Sequence, residues 1–193
     1  MSNSQEPVRF GLVGAGAIAQ AYAQAFSQTT AAKLVAVADS RREAAEKMAD
    51  AAQCQAFTDA ESMADAVELD AVIVCTPPST HREICCALME RGIHVLCEKP
   101  LAVNYPDAKK MVLVAKQSGL INMVQFSYRS SAAWIKAREI VEAGKLGTIT
   151  HFEGSYLQSW LSSLAWGDWQ TNPAWLWRLD SSKGSKGVLG DVG

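Results

Sequence analysis

The turn Gly14-Ala15-Gly16-Ala17-Ile18-Ala19 constrains this chain more than any other feature. It follows an apolar run, Val8 to Val13, and opens a segment with Ile18, Tyr22 and Phe26 at helical spacing. Small residues in G-x-G-x-x-A order at a strand-to-helix turn meet a specific physical need. Gly14 permits the tight turn, Gly16 lets the backbone approach a pyrophosphate, and Ala19 lets helix and strand pack closely. The first helical residues, Ala17 and Ile18, would present free N–H groups and the positive end of the helix dipole to the phosphates. Asp39 lies 20 residues beyond Ala19, at the end of the next apolar run, Leu34 to Ala38. A carboxylate there accepts hydrogen bonds from adenosine ribose hydroxyls. Asp39 would repel a 2′-phosphate, which favours NAD. Arg41 and Arg42 could hold that phosphate, or be exposed first-turn residues of a helix, so NADP stays open.

The same alternation continues along the chain. Helices are expected at Arg41 to Ala52, Ala60 to Val67, Thr80 to Arg91, Pro106 to Gly119 and Ala132 to Ala143. Strands are expected at Gln55 to Phe57, Ala71 to Cys75, Ile93 to Cys97 and Ile121 to Phe126. Thr80-His81-Arg82-Glu83 has the spacing of a capping box at a helix start. Strands alternating with helices imply an α/β fold with a doubly wound, mostly parallel Rossmann sheet. The pattern changes near Tyr128. A longer strand candidate, Thr148 to Leu157, precedes a segment holding Trp160, Trp166, Trp169, Trp175 and Trp177. Residues 1–128 therefore read as a dinucleotide-binding domain, and 129–193 as the incomplete start of an α+β domain for substrate binding or oligomerisation.

Glu98-Lys99-Pro100 stands just past the fifth strand, at the sheet edge where open α/β folds bind ligands. A lysine there can orient a hydroxyl or carbonyl and stabilise negative charge on its oxygen. A solvated loop lysine is the simpler reading of Lys99 alone. The glycine-rich turn about 85 residues upstream is what raises it above that reading.

Composition narrows the partners. Lys plus Arg is 18 against 20 for Asp plus Glu, and no basic stripe appears, so nucleic acid is not an expected partner. No run of 18 apolar residues is present, and the polar opening Met1 to Glu6 lacks a signal-peptide core, so no membrane association is expected. Cys54, Cys75, Cys85, Cys86 and Cys97 are odd in number and form no C-x-x-C pair. They read as reduced, structural thiols of a cytoplasmic protein, with no metal site.

Taken together, the Gly14 to Ala19 turn, Thr76-Pro77-Pro78 with His81, and Glu98-Lys99-Pro100 resemble the Gfo/Idh/MocA oxidoreductases. Tyr128-Arg129, Gly144-Lys145-Leu146-Gly147, Trp177-Arg178 and Gly190-Asp191-Val192-Gly193 fit the resemblance too. It implies a two-domain NAD(P)-dependent dehydrogenase acting on a sugar or polyol, with a second-domain sheet that often forms a homo-oligomer interface. By the same resemblance, Lys99 is the substrate-orienting lysine and Asp191 the acidic member of a D-x-x-x-H motif. Thr76, Pro77, His81 and Glu98 line the cofactor cleft, Arg129 lies close by, and Trp177 and Arg178 reach the nicotinamide half. The histidine of D-x-x-x-H, the family's general base, would fall two residues past Gly193. His81, His94 and His151 do not match it, and His94, within a strand, reads as structural. The 193-residue chain is therefore expected to be catalytically incomplete, with residues from about 158 onward poorly ordered alone.

Overall fold

A computed structural model of the chain describes residues 6–159, 162–164, 167–168 and 170–172. Six parallel strands form one sheet: β1 (Val8–Val13), β2 (Ala32–Ala38), β3 (Gln55–Phe57), β4 (Ala71–Val74), β5 (His94–Cys97) and β6 (Asn122–Val124). Their order is β3-β2-β1-β4-β5-β6, so the chain reverses direction across the sheet between β1 and β4. Helices α1 (Ala17–Phe26), α2 (Arg42–Ala52), α3 (Ala60–Ala66), α4 (Pro78–Glu90) and α5 (Tyr105–Ser118) connect them.

Alternation along the central strands builds two cores. Val13, Val72 and Val74 turn to a face shared with Met63, Leu88, Met111 and Val114 of α3, α4 and α5. Leu12, Val37 and Ile73 turn to the other, against Ala19 of α1 and Met48 of α2. Strands covered on both faces are continuous apolar runs, which is why Ala71–Val74 is buried at every position.

Helix ends follow local chemistry. Asp59 caps α3 by accepting from the Ser62 N–H at 2.7 Å, and Asn104 caps α5 by accepting from Asp107 at 2.9 Å. The capping box expected at Thr80 is not formed. α4 begins two residues earlier, with Pro77 at the cap and Pro78 in the first turn. Proline's fixed φ suits that position and starts the helix without a side-chain cap. Thr80 Oγ1 instead meets the Thr76 hydroxyl and the Pro77 carbonyl, each at 2.8 Å.

The chain divides into two compact units, with one break between Gln125 and Phe126. The second contains a 3₁₀ turn (Ser127–Ser130) and α6 (Ala132–Glu142), started by Ser131 accepting from the Trp134 N–H. The strand expected at Thr148 to Leu157 is corrected: no ladder forms there. A strand needs a neighbour to take its N–H and C=O groups, and none lies beside it among the described residues. Trp160, Trp166, Trp169, Trp175, Trp177, Arg178 and Asp191 lie outside the described residues.

Candidate cofactor and active site

The carboxyl ends of β1, β2, β4 and β5 lie side by side, and each feeds a loop carrying a residue singled out from the sequence. After β1, Gly14 adopts φ +96°, and a Cβ added there would lie 2.9 Å from the Cys75 carbonyl. Gly14 is therefore required twice, for its conformation and for the approach of the β4 end. Gly16 starts α1 with no side-chain cap, and a Cβ there would meet nothing within 4 Å. An uncapped helix start facing open space is a fit cradle for a phosphate. Ala17 and Ile18 form the first turn of that helix.

After β2, Asp39 binds the glycine-rich turn itself. Its Oδ2 accepts from the Ala15 N–H at 2.7 Å, while Oδ1 accepts from the Arg41 N–H at 2.8 Å and from Arg41 Nε at 3.2 Å. Burial opposes ionisation of Asp39, but the Ala15 N–H and the Arg41 donors outweigh it and hold the carboxyl below its ordinary range. Arg41 Nη2 also lies 3.4 Å from Oδ2, so four donors face the carboxylate's about four acceptor positions, and a ribose hydroxyl would take the place of an exposed Arg41 donor. The Asp39–Arg41 pairing and the bond to Ala15 are not visible as sequence patterns.

After β5, Glu98 is braced between two elements. Tyr22 of α1 donates to its Oε1 at 2.7 Å, and the Lys99 N–H donates to its Oε2 at 3.1 Å. Burial first, then the Glu98 carboxylate, raise the pKa of the Tyr22 hydroxyl, which stays a protonated donor. Tyr22 had read only as one apolar position on α1. Its role shows only when residues 76 positions apart meet. Lys99 is half-buried on the same loop, joined to Pro100 by a cis peptide bond.

His81 is fully buried, at 0% exposed. Its ring nitrogens sit 2.8 Å from the Thr76 carbonyl oxygen and 3.0 Å from that of Pro100, tying the loop after β4 to the loop after β5. Thr76 is half-buried and Pro77 exposed on the first of those loops. Arg129 belongs to the 3₁₀ turn of the second unit. His94 Nδ1 accepts from the Ile121 N–H at 3.1 Å, a bond between strand ends. The five cysteines are unpaired, no group of metal-ligating side chains occurs among the described residues, and no described helix is long and apolar enough to cross a membrane.

A parallel sheet in 3-2-1-4-5-6 order, with a glycine-rich turn at the reversal point, defines a dinucleotide-binding Rossmann protein. The chain belongs to the Gfo/Idh/MocA oxidoreductases. Residues 8–126 match that family's NAD-binding Rossmann fold, and residues 134–193 match a GFO/IDH/MocA C-terminal domain. It is 35% identical over 135 residues to a levoglucosan dehydrogenase of Pseudarthrobacter phenanthrenivorans, covering 70% of this chain and 33% of that protein. It is 34% identical over 142 residues to an inositol 2-dehydrogenase of Rhizobium meliloti, covering 74% and 43%. The crystal structure of an NAD binding oxidoreductase from Klebsiella pneumoniae superposes with a TM-score of 0.83 at 29% identity, over 96% of this chain and 50% of that one. The chain thus spans about a third to a half of the length of these relatives. The family is one of NAD-binding sugar and cyclitol dehydrogenases.

Proposed function

We propose that this chain supplies the cofactor site and the substrate-orienting lysine of an NAD-dependent dehydrogenase of sugars or cyclitols. The observation that carries this reading is the convergence of Gly14, Gly16, Asp39 and Lys99 at the carboxyl edge of one sheet. When bound, the nicotinamide supplies the hydride acceptor or donor. The residues of the chain do the rest. The Gly16 backbone and the start of α1 receive the pyrophosphate, and Asp39 takes the ribose hydroxyls. Lys99 Nζ donates to the substrate oxygen and stabilises the charge that develops there. Thr76, Pro77 and Glu98 shape the cleft; Arg129, Trp177, Arg178 and Asp191 are site candidates by the family resemblance alone. The pairing of Arg41 with Asp39 supports NAD over NADP, because the guanidinium nearest a 2′-phosphate is already engaged. Five unpaired thiols suit a cytoplasmic setting, and a homo-oligomer is part of the same reading.

Titration of the chain with NADH and NADPH, by tryptophan-to-nicotinamide energy transfer and by calorimetry, tests the cofactor site. Saturable NADH binding that Gly16→Ala removes is expected. Preference for NADPH would move the 2′ contact to Arg41 and Arg42, and binding of neither would sink the assignment. In a protein of the relatives' full length, Lys99→Ala should lower polyol turnover by roughly 10²-fold or more while leaving NADH affinity unchanged. Unchanged turnover would remove Lys99 from the chemistry.

A further inference from the structure

We propose that His81 is a charged clamp, an imidazolium that joins the loop after β4 to the loop after β5 and so fixes the position of Lys99. The second half of this statement rests on the function proposed above; the first does not. Both partners of the ring are carbonyl oxygens, Thr76 at 2.8 Å from Nε2 and Pro100 at 3.0 Å from Nδ1. Carbonyl oxygens only accept, and a neutral imidazole carries a single N–H. A neutral ring would set a lone pair against one of the two oxygens inside a site closed to water. Only the imidazolium donates to both.

A buried charge needs a counter-charge. Cys97, on β5, supplies it. Its thiol is pulled below its ordinary range by the Cys85 thiol, with His81 adding to the effect and burial opposing it. Burial pulls His81 down, but Cys97 and then the two carbonyls outweigh it and hold the ring above its ordinary value. The proton leaves Cys97 Sγ and resides on His81, with no change in net charge. The neutral alternative keeps that proton on Cys97, whose Sγ–H then donates to the Glu98 carbonyl at 3.3 Å; moving it to His81 gives up this weak thiol bond for a second N–H bond to a carbonyl.

The titratable and charged groups around the ring are accounted for. Cys85 lies one turn along α4, and Cys75 follows β4 with its thiol pushed up by burial. Glu98 is held by Tyr22, and Arg82 of α4 pairs with Asp107 of α5 at 3.1 Å. The Pro100 carbonyl is one residue from Lys99, so releasing it frees the lysine loop. The clamp holds while the ring is protonated and fails as pH rises through the raised value of His81.

The test is nitrogen NMR of the ¹⁵N-labelled chain without cofactor, with the His81 ring assigned by His81→Gln. Directly bonded protons are expected on both ring nitrogens, persisting above the ordinary histidine value of about 6.5. Cys97→Ser should bring the loss of one proton to lower pH, and it keeps the test open if His81→Gln does not fold. A single N–H on His81 near neutral pH would overturn the clamp. In a protein of the relatives' full length, polyol turnover at saturating NAD is then followed against pH. It should fall about tenfold across the interval in which His81 deprotonates, and stay flat and weak in His81→Gln. A flat wild-type profile would overturn the positioning role. If the wild-type chain binds no NADH at any pH, the proposed function fails while the NMR result still decides the clamp.

Discussion

Residues 8–125 and residues 126–172 are built from similar amino acids with opposite outcomes. In the first unit Leu12, Met63, Leu88, Val37 and Val72 are essentially sealed from water. In the second, α6 has no buried residue, Phe152 is 79% exposed and Leu157 90%. The first unit contains both partners of nearly every apolar contact it needs, because each βαβ step covers the strand before it. Hydrophobic patterning predicts burial only where the complementary face belongs to the same unit.

The most severe way to break this comparison is to shorten one large side chain in each unit. Leu88→Ala, in the core under α4, should cost about 2–5 kcal/mol in urea unfolding, from lost transfer energy and the cavity left behind. Phe152→Ala should stay within about 0.5 kcal/mol, because little of that ring leaves water on folding. Equal losses would mean that the second unit has a core of its own.

A backbone substitution sharpens the contrast inside the first unit. Gly14→Ala should cost about 1–3 kcal/mol, since φ +96° and the Cys75 carbonyl at 2.9 Å leave an L side chain strained. Gly16→Ala has open space around it and should leave unfolding within about 0.5 kcal/mol while NADH affinity drops. Loss of stability at Gly16 would make that glycine a packing residue and not a ligand contact.

How much of this was legible depended on distance along the chain. The glycine-rich turn, the strand before it and the helix after it are specified within some twenty consecutive residues, and the structure shows them nearly residue for residue. At the start of α4 two local signals compete, and Pro77-Pro78 prevails over the spacing of Thr80 and Glu83. The Thr148 to Leu157 strand was misread because alternation describes one edge of a ladder and says nothing of the other. Tyr22 with Glu98, Asp39 with Ala15 and His81 with Pro100 carried no sequence signal at all. Each joins elements far apart in sequence that only the sheet order brings together.

Tyr22→Phe probes one such contact. It keeps the ring in the packing beside Leu12 and Ala19 and removes only the hydroxyl that donates to Glu98. A loss of about 1.5 kcal/mol is expected in urea unfolding, the lower end for a hydrogen bond to a charged group because this one is only half-buried. A null result would mean that α1 is held to the sheet by apolar contact alone.

The smallest effect separates the polar contacts of the two units. At the amino-terminal edge of the sheet, Asp70 accepts from the Arg9 N–H at 2.7 Å and from the Arg9 guanidinium at 2.7 and 3.0 Å. On α6, Lys136 and Glu139 form an exposed pair at 3.1 Å. The Arg9 side chain first, and its backbone N–H next, hold the Asp70 carboxyl at about 2. A carboxylate lowered on folding stabilises above its ordinary range near ~4, and that contribution disappears as pH falls through the folded value. Asp70→Asn should therefore lower the melting temperature slightly at neutral pH, with the gap from wild type closing near about pH 2. Glu139→Gln should shift nothing at either pH, because a solvated i,i+3 pair on an uncovered helix gains little from attraction that water and salt already screen. If both variants melt with the wild type at neutral pH, the ion pair that joins β1 to β4 is as passive as the one on α6, and the stability of the first unit rests on its apolar cores.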